Sequence, residues 1–562
     1  MSVYNIDYLT TKNNLETVTV NGFLLHSKYD PIQEATRIVE KEFEPNYVYV
    51  LFGYGLGYIA KLLSEKIEDP SKLIIIDPIY SLLPQSDNGL VITTHFDELN
   101  FETNIALSLK HLSKKIKVIC SPNYDKILPE ELAKVLRVIK DVQSLNKVNE
   151  NTIRTFADSW QENYIHNLLN VYRNNSLSKL KKKYTCPVVL ASGGPSLTKQ
   201  LPLLKKMQNH VIILAAGSTI NSLLANKIEP DYIVTVDGAI ENYLHFKDLK
   251  NINSKLIYAL SSHYKIQDEF INEKYAFVDS NSKEYFENIK NIFSIELPLI
   301  RGGGSVANFA FSIASYITTG PIAIIGQDLA YTDNKTHAEN NKQFREIDLV
   351  LKKEKGTFEI KGYNDDKVFT DYVFLAMKKA FEIINKSMDH SSLIYNCTEG
   401  GAKIEGMQQL SFADFYERFV NSQLILNKEI TNNDSKFDIK NFIKIMNEQI
   451  NILNELIKKL ESALNLLEQN QSSISFNSKI LKKLDRIDEF INRVFDQISL
   501  SYITEPITLD VLRNYEPALN EKPRDTYLRI YNQNKELYSR LLVAIEKTKQ
   551  YTLDTIEKAN SL

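Results

Sequence analysis

Apolar and polar positions divide this chain into three stretches. From the N-terminus to about residue 160, short apolar runs alternate with segments of helical period, the pattern of an α/β layer structure. Within it Tyr47–Phe52 and Leu73–Ile76 read as buried neighbouring strands. The alternation resumes from residue 161 to about 432, with apolar strand candidates at 187–191, 211–215, 233–236, 255–259 and 322–325. Between the two, residues 155–171 predict a connecting helix that carries the only tryptophan, Trp160, and the basic run 179–183 predicts a solvated surface at a domain boundary. After residue 440 the period is helical. Met446, Ile450, Leu453, Ile457, Leu460, Leu464 and Leu467 alternate spacings of three and four, as do Ile480, Leu484, Ile487, Ile491, Val494 and Ile498. A third, less regular stripe passes through Tyr527, Tyr531, Tyr538, Leu541 and Ile545, with Pro517 and Pro523 breaking the chain before it. The expected fold is therefore α/β: two Rossmann-like domains, N-terminal (1–160) and central (161–432), followed by a C-terminal all-α helical bundle (433–562) of three helices. Such a bundle serves as a structural cap, as a dimer contact or as a docking surface for a protein substrate.

Composition narrows the function. The formal net charge of −3 over 562 residues lacks the basic excess of a phosphate-backbone binder, so no nucleic-acid partner is expected. Cys120, Cys186 and Cys397 are far apart with no C-x-x-C pair, which suggests reduced thiols rather than a disulfide framework or a zinc site. The first residues carry no basic and apolar leader, and no apolar run approaches the roughly 20 residues of a membrane helix. The expected setting is a reducing cytoplasm, away from the membrane; a homo-oligomer stays open.

Candidate chemistry clusters where strands run into glycine turns, because a helix N-terminus offers bare N–H groups to an anion. Ser192, Gly193, Gly194, Pro195 and Ser196 form one such turn; Gly217, Ser218 and Thr219 form a second. Asp237, ending a third strand, either holds a ribose hydroxyl or caps the next helix. Arg301, followed by Gly303, Gly304 and Ser305, opens a helix at 307–316 and adds a fixed cation for phosphate or carboxylate. The strand at 322–325 leads into Gln327, Asp328 and Tyr331, and then His337 in a polar loop. His337 is the candidate base, Tyr331 the candidate donor to a departing phosphate oxygen, and Asp328 stands with them as a candidate catalytic residue. In the N-terminal stretch, Gly53, Gly55 and Gly57 with Asp77 about 20 residues on fit a nucleotide or S-adenosylmethionine cradle, or simply close helix–strand packing.

The run Leu190 to Leu197, Val236-Asp237-Gly238, Gly326 to Tyr331 with Thr336-His337-Ala338, and Thr398-Glu399-Gly400-Gly401-Ala402-Lys403-Ile404 resembles the motility-associated factor (Maf) flagellin glycosyltransferases. Leu24 to Pro31 is similar to that family too, so the resemblance covers roughly residues 20 to 410. It implies transfer of a nonulosonic acid, of pseudaminic or legionaminic type, from a CMP-activated donor to serine or threonine of flagellin, with no cofactor. The central stretch is also similar to bacterial CMP-sialic-acid sialyltransferases, which implies that Arg301 to Ser305 and Gly326 to Tyr331 line the donor site; those enzymes carry asparagine where Gly193 stands. No D-x-D pair occurs there, Asp365-Asp366 being the nearest, and a monophosphate leaving group needs little charge cancellation, so no metal is expected. Rival readings are a pterin-diphosphokinase-like phosphotransferase, a non-catalytic flagellin-binding chaperone, and methylation through Gly53 to Gly57.

Overall fold

The computed structural model describes residues 4–562 except 46, 85–88, 95–100, 102–104, 106–114, 250–251, 355, 389–392, 427, 429–436, 472–474, 476, 496 and 519–520. The chain divides into two compact units, Met1–Lys147 with Glu516–Glu521, and Val148–Tyr515 with Lys522–Leu562.

The first unit opens on an antiparallel meander that the apolar pattern did not reveal: β1 (Ile6–Thr10), β2 (Glu16–Val20) and β3 (Phe23–Leu24). Its main sheet is parallel, in the order β6-β5-β4-β7, from β4 (Tyr47–Phe52), β5 (Leu73–Ile76), β6 (Ile92–Thr93) and β7 (Lys115–Cys120). Alternation fixes the two faces. Val50, Phe52 and Ile76 pack with Val135, Val138 and Ile139 on one side, and Tyr49, Leu51 and Ile75 with Ala35, Val39 and Leu63 on the other. Asp30 starts the helix Pro31–Glu42 by accepting from Gln33 N at 2.9 Å, with Pro31 preorganised at the first position.

The second unit is built on a ten-stranded sheet among the described residues, ordered β14-β13-β12-β11-β10-β9-β15-β18-β19, with β8 (Asn175–Ser176) beside β13. Its strands are β9 (Val188–Ala191), β10 (Ile212–Ala216), β11 (Tyr232–Thr235), β12 (Lys255–Ala259), β13 (Lys274–Asp279), β14 (Leu299–Ile300), β15 (Ile322–Ile325), β18 (Ile394–Asn396) and β19 (Gln408–Gln409). All neighbouring pairs are parallel. The short pair β16 (Phe358–Lys361) and β17 (Lys367–Thr370) stands apart. Strands β9 to β14 step outward in order, and β15 then returns to the far side of β9; this reversal is the switch point at which open α/β sheets bind ligands. Both faces are apolar, as covered parallel strands require. Val188 and Leu190 meet the helix Val306–Ile317, while Val189 and Ala191 meet Leu197–Met207 and Phe412–Phe419.

The C-terminal part has four helices among the described residues, Ile439–Gln469, Ser478–Phe495, Ser501–Asn514 and Pro523–Asn560, where the periodicity indicated three. The extra one carries Pro506 inside it and only a sparse apolar stripe, so it left no periodic trace. Leu453, Leu456 and Leu460 interleave with Leu484, Ile487, Ile491, Tyr538 and Leu541 along the bundle axis. Its base, Phe442, Met446 and Ala559, joins Tyr164, Leu168, Leu256 and Phe293 of the sheet layer, so bundle and sheet share one core. The connecting helix is also longer than expected: residues 155–171 are the second part of Pro129–Arg173. No helix among the described residues is long and apolar enough to cross a membrane.

Candidate functional site

Parallel pairing brings every carboxyl end from β9 to β15 to one side of the second sheet. Ser192, Gly217, Asp237, Ser261, Asp279, Arg301 and Gly326 therefore line one mouth.

The turn after β9 is braced from β15. Ser192 N donates to Ile325 O at 3.0 Å and Gly194 N to Gly326 O at 2.8 Å. The backbones approach so closely that a β-carbon on Gly194 would strike Asp328 and the Gly326 carbonyl. Asp328, wholly buried, accepts from Ser196 N at 3.1 Å and from Ser196 Oγ at 2.5 Å. Burial pushes its carboxyl pKa up, and the Ser196 bonds oppose that rise. Ala402 N donates to Asp328 O at 2.7 Å, which draws in the loop after β18 as well. Leu329, buried at φ +52°, lies in the left-handed region and is held by Thr370 Oγ1 donating to its carbonyl at 2.9 Å. Ser192 Oγ and Gln327 Oε1 are buried at this switch point without a hydrogen-bond partner among the described residues, an arrangement that marks polar capacity left for a ligand.

Residues 336–343 form an arm over the turns after β9 and β10. Ala338 N donates to Gly193 O at 2.9 Å, Glu339 N to Thr198 Oγ1 at 3.2 Å and Asn341 Nδ2 to Ser218 Oγ at 3.3 Å. A β-carbon placed on Gly193 would lie 3.0 Å from Asn341 Nδ2, 3.2 Å from Thr219 Oγ1 and 3.7 Å from His337 Cδ2. His337, Gly193, Ser218 and Thr219 thus meet in one place. Asn341, missed in the sequence, is the hub: it is buried, and its Oδ1 accepts from Gln343 N at 2.9 Å. A polar loop without periodicity gave no signal for it.

Ser305 caps the helix Val306–Ile317, its Oγ accepting from Asn308 N at 3.3 Å. Val306 stands 3.5 Å from where a Gly217 β-carbon would be, which joins this loop to the second turn. Gly303 is pressed against Ala380, but above Gly304 only Met377 Cγ comes as near as 3.7 Å, so that approach is open. Arg301 is exposed beside it. Asp237 is exposed too; its Oδ1 accepts from Ala239 N at 2.9 Å, and its carbonyl from Asn242 Nδ2 at 2.7 Å. Burial lowers the pKa of His245, with Lys342 adding to the effect and Asp237 opposing it; His263 is lowered for the same first reason.

Two expected catalytic groups face elsewhere. The Tyr331 hydroxyl donates to Asp371, the N-cap of the helix Tyr372–Lys386, and burial and that carboxylate raise its pKa. Asp328 accepts from Ser196, and Thr332 adds to the interactions that oppose the rise of its pKa.

The glycine turn of the first unit is filled. Asp77 accepts from Tyr54 N at 2.9 Å, Gly55 N at 3.1 Å, Ile79 N at 3.0 Å and the Tyr124 hydroxyl at 2.6 Å. His26 Nε2 accepts from Leu56 N at 2.9 Å. Gly53, at φ +95°, has the Tyr124 ring where its side chain would be.

Residues 162–334 match a family model described as 6-hydroxymethylpterin diphosphokinase MptE-like. That stretch holds β9 to β15 with Asp237, Arg301 and Asp328, and ends before His337. An uncharacterised protein of Treponema pallidum (strain Nichols) is 38% identical over 66 residues, 11% of this chain; the match spans about a fifth of that relative's length, 22%. The MAf glycosyltransferase from Magnetospirillum magneticum AMB-1 aligns in structure over 99% of this chain and 91% of its own, with a TM-score of 0.49 and 15% sequence identity.

Proposed function

We propose that this chain is a glycosyltransferase that transfers a nonulosonic acid, of pseudaminic or legionaminic type, from its CMP-activated form to serine or threonine of flagellin. One observation carries the reading: the glycine turns after β9 and β10, Asp237, the Arg301 loop and the His337 arm converge at the switch point of one parallel sheet. Ser192, Gly193, Gly194, Pro195, Ser196, Gly217, Ser218, Thr219, Asp237 and Gln327 hold the nucleotide. Arg301, Gly303, Gly304 and Ser305 meet the phosphate or the sugar carboxylate, where charge-assisted bonds are strongest. The acceptor oxygen attacks the anomeric carbon as its proton passes to His337; the bond from that carbon to the phosphate oxygen breaks, its electron pair leaves with CMP, and the configuration inverts. Asp328 and Tyr331, tied to Ser196 and Asp371, act as positioning residues. The test is the intact mass of flagellin co-expressed with and without this protein in a host that makes CMP-nonulosonates. An unchanged mass overturns the assignment.

The family match supports a second reading, transfer of diphosphate from ATP to a hydroxymethylpterin. ATP consumption dependent on the pterin, without any gain in flagellin mass, would replace the first reading with this one.

A further inference from the structure

Gly193 is a glycine for a different reason than its neighbours in the mouth. Gly217 and Gly326 lie in the left-handed region, at φ +52° and +62°, and a β-carbon on Gly194 or Gly326 would strike a backbone carbonyl. Gly193 has no such need. Its φ is one that any residue adopts, and what a β-carbon there would meet is the ends of three polar side chains, Asn341 Nδ2 at 3.0 Å, Thr219 Oγ1 at 3.2 Å and His337 Cδ2 at 3.7 Å. Asn341 Oδ1 accepts from Gln343 N at 2.9 Å, which fixes the orientation of the amide and turns Nδ2 toward Ser218 Oγ, 3.3 Å away, and toward Gly193. An amide nitrogen carries two hydrogens, and Ser218 takes one. Thr219 is only 1% exposed, yet its hydroxyl makes no hydrogen bond among the described residues. Gly193, Ser218 and His337 are half-buried, so the place is reached from solvent.

We propose that Asn341 Nδ2 and Thr219 Oγ1 donate to a phosphate oxygen of the nucleotide, held over Gly193 beside His337. The assignment rests on the CMP-donor reading above and adds the residues that steady its leaving group. The three groups nearest this place include no carboxylate, so an anionic oxygen is not repelled there. Tyr331 is spoken for, because its hydroxyl goes to Asp371. Two uncharged donors suit the single negative charge of the phosphate while it is still bonded to the sugar. When the bond from the anomeric carbon to the phosphate oxygen breaks, its electron pair stays on that oxygen and the acceptor's proton is on His337. CMP then carries a second negative charge, and hydrogen bonds to a charged acceptor are the stronger ones, so the same two donors hold the departing group better than the bound one.

CMP and cytidine, which differ only in the phosphate, are titrated into the intact chain by calorimetry. The chain should bind CMP the more tightly. Asn341→Ala should weaken CMP about tenfold to a hundredfold and leave cytidine unchanged, and Asn341→Asp, which sets a carboxylate against the phosphate, should weaken CMP further. Asn341 also holds the arm, so Thr219→Val is the cleaner probe: it keeps the shape and removes a hydroxyl that no described residue uses. It should cost CMP about tenfold and cytidine nothing. Cytidine bound as tightly as CMP, or variants that weaken the two compounds alike or not at all, overturns the phosphate seat and leaves the donor reading standing. Absence of heat with either compound overturns the donor reading, and this assignment with it.

Discussion

Two glycine turns, one after β4 and one after β9, have the same plan: strand, glycines, helix, and an aspartate from a neighbouring strand end reaching across. In the first, Asp77 and His26 take the N–H groups of Tyr54, Gly55 and Leu56, and the rings of Tyr124 and His26 occupy the space above Gly53 and Gly55. In the second, Asp328 takes Ser196 and, among the described residues, none of the glycine N–H groups, while the ground beside Gly193 is shared by His337, Thr219 and Asn341 and the approach to Gly304 is open. A glycine in such a turn reports that something comes close to the backbone. Whether that something is a ligand or the protein's own side chain is decided by residues elsewhere in the chain.

The contrast breaks most directly at His337. If the second turn is the reacting one, His337→Ala should lower the transfer rate about 10²- to 10⁴-fold with nucleotide affinity kept; a near-normal rate removes His337 from the base role. The next effect belongs to the first turn and to pH. Burial lowers the pKa of His26 from 6.5 to about 4, so the folded state favours the neutral ring that accepts from Leu56 N. This contribution is fully present above pH 6.5 and is lost as pH falls toward about 4, with a size of about 3 kcal/mol. Urea unfolding followed across that range should show the loss, and His26→Gln, which accepts from Leu56 without titrating, should flatten it.

A smaller expected effect is about 1–3 kcal/mol of stability lost in Asp77→Asn, which leaves amide hydrogens facing backbone donors. CMP affinity, measured by calorimetry, should not move, whereas Arg301→Ala should weaken it; a matching loss in Asp77→Asn would mean that the first turn binds nucleotide after all. Smallest of all is chelation. Transfer in excess chelator should equal transfer without it, and a strict manganese or magnesium requirement would count against the leaving-group chemistry.

Several parallel strands were legible because burial on both faces leaves uninterrupted apolar runs, as in Val188–Ala191 and Ile322–Ile325. Lys115–Cys120, whose run is interrupted by Lys117, and Lys274–Asp279, which opens on a lysine and ends on an aspartate, were missed. Strands of two or three residues, Leu299–Ile300, Ile394–Asn396 and Phe23–Leu24, are too short for any period, and β1 has no buried face, its Tyr8 and Leu9 being exposed. At the site, glycines and charged residues stood out, but their partners did not. Asp77 was visible after its strand, yet its bonds to Tyr124 and to the glycine turn join residues 47 and 22 positions away. Tyr331 was marked as a donor, and what claims its hydroxyl is Asp371, 40 positions on. Asn341 lies in a polar loop where only the fold shows which of many amides is central.

Around Asp328, the loops after β9, β15 and β18 meet without room for one methyl group at Gly194, Gly326 or Gly401. Such a corner behaves as an anvil: it has no slack to yield when a substrate arrives or a product departs. Whatever opens and shuts during turnover is then left to the parts that face it, the 336–343 arm, which is pinned at Ala338 and Asn341 but exposed at Glu339, Asn340, Lys342 and Gln343, and the backbone near Gly304, and residues chosen to speed or slow release should be sought there.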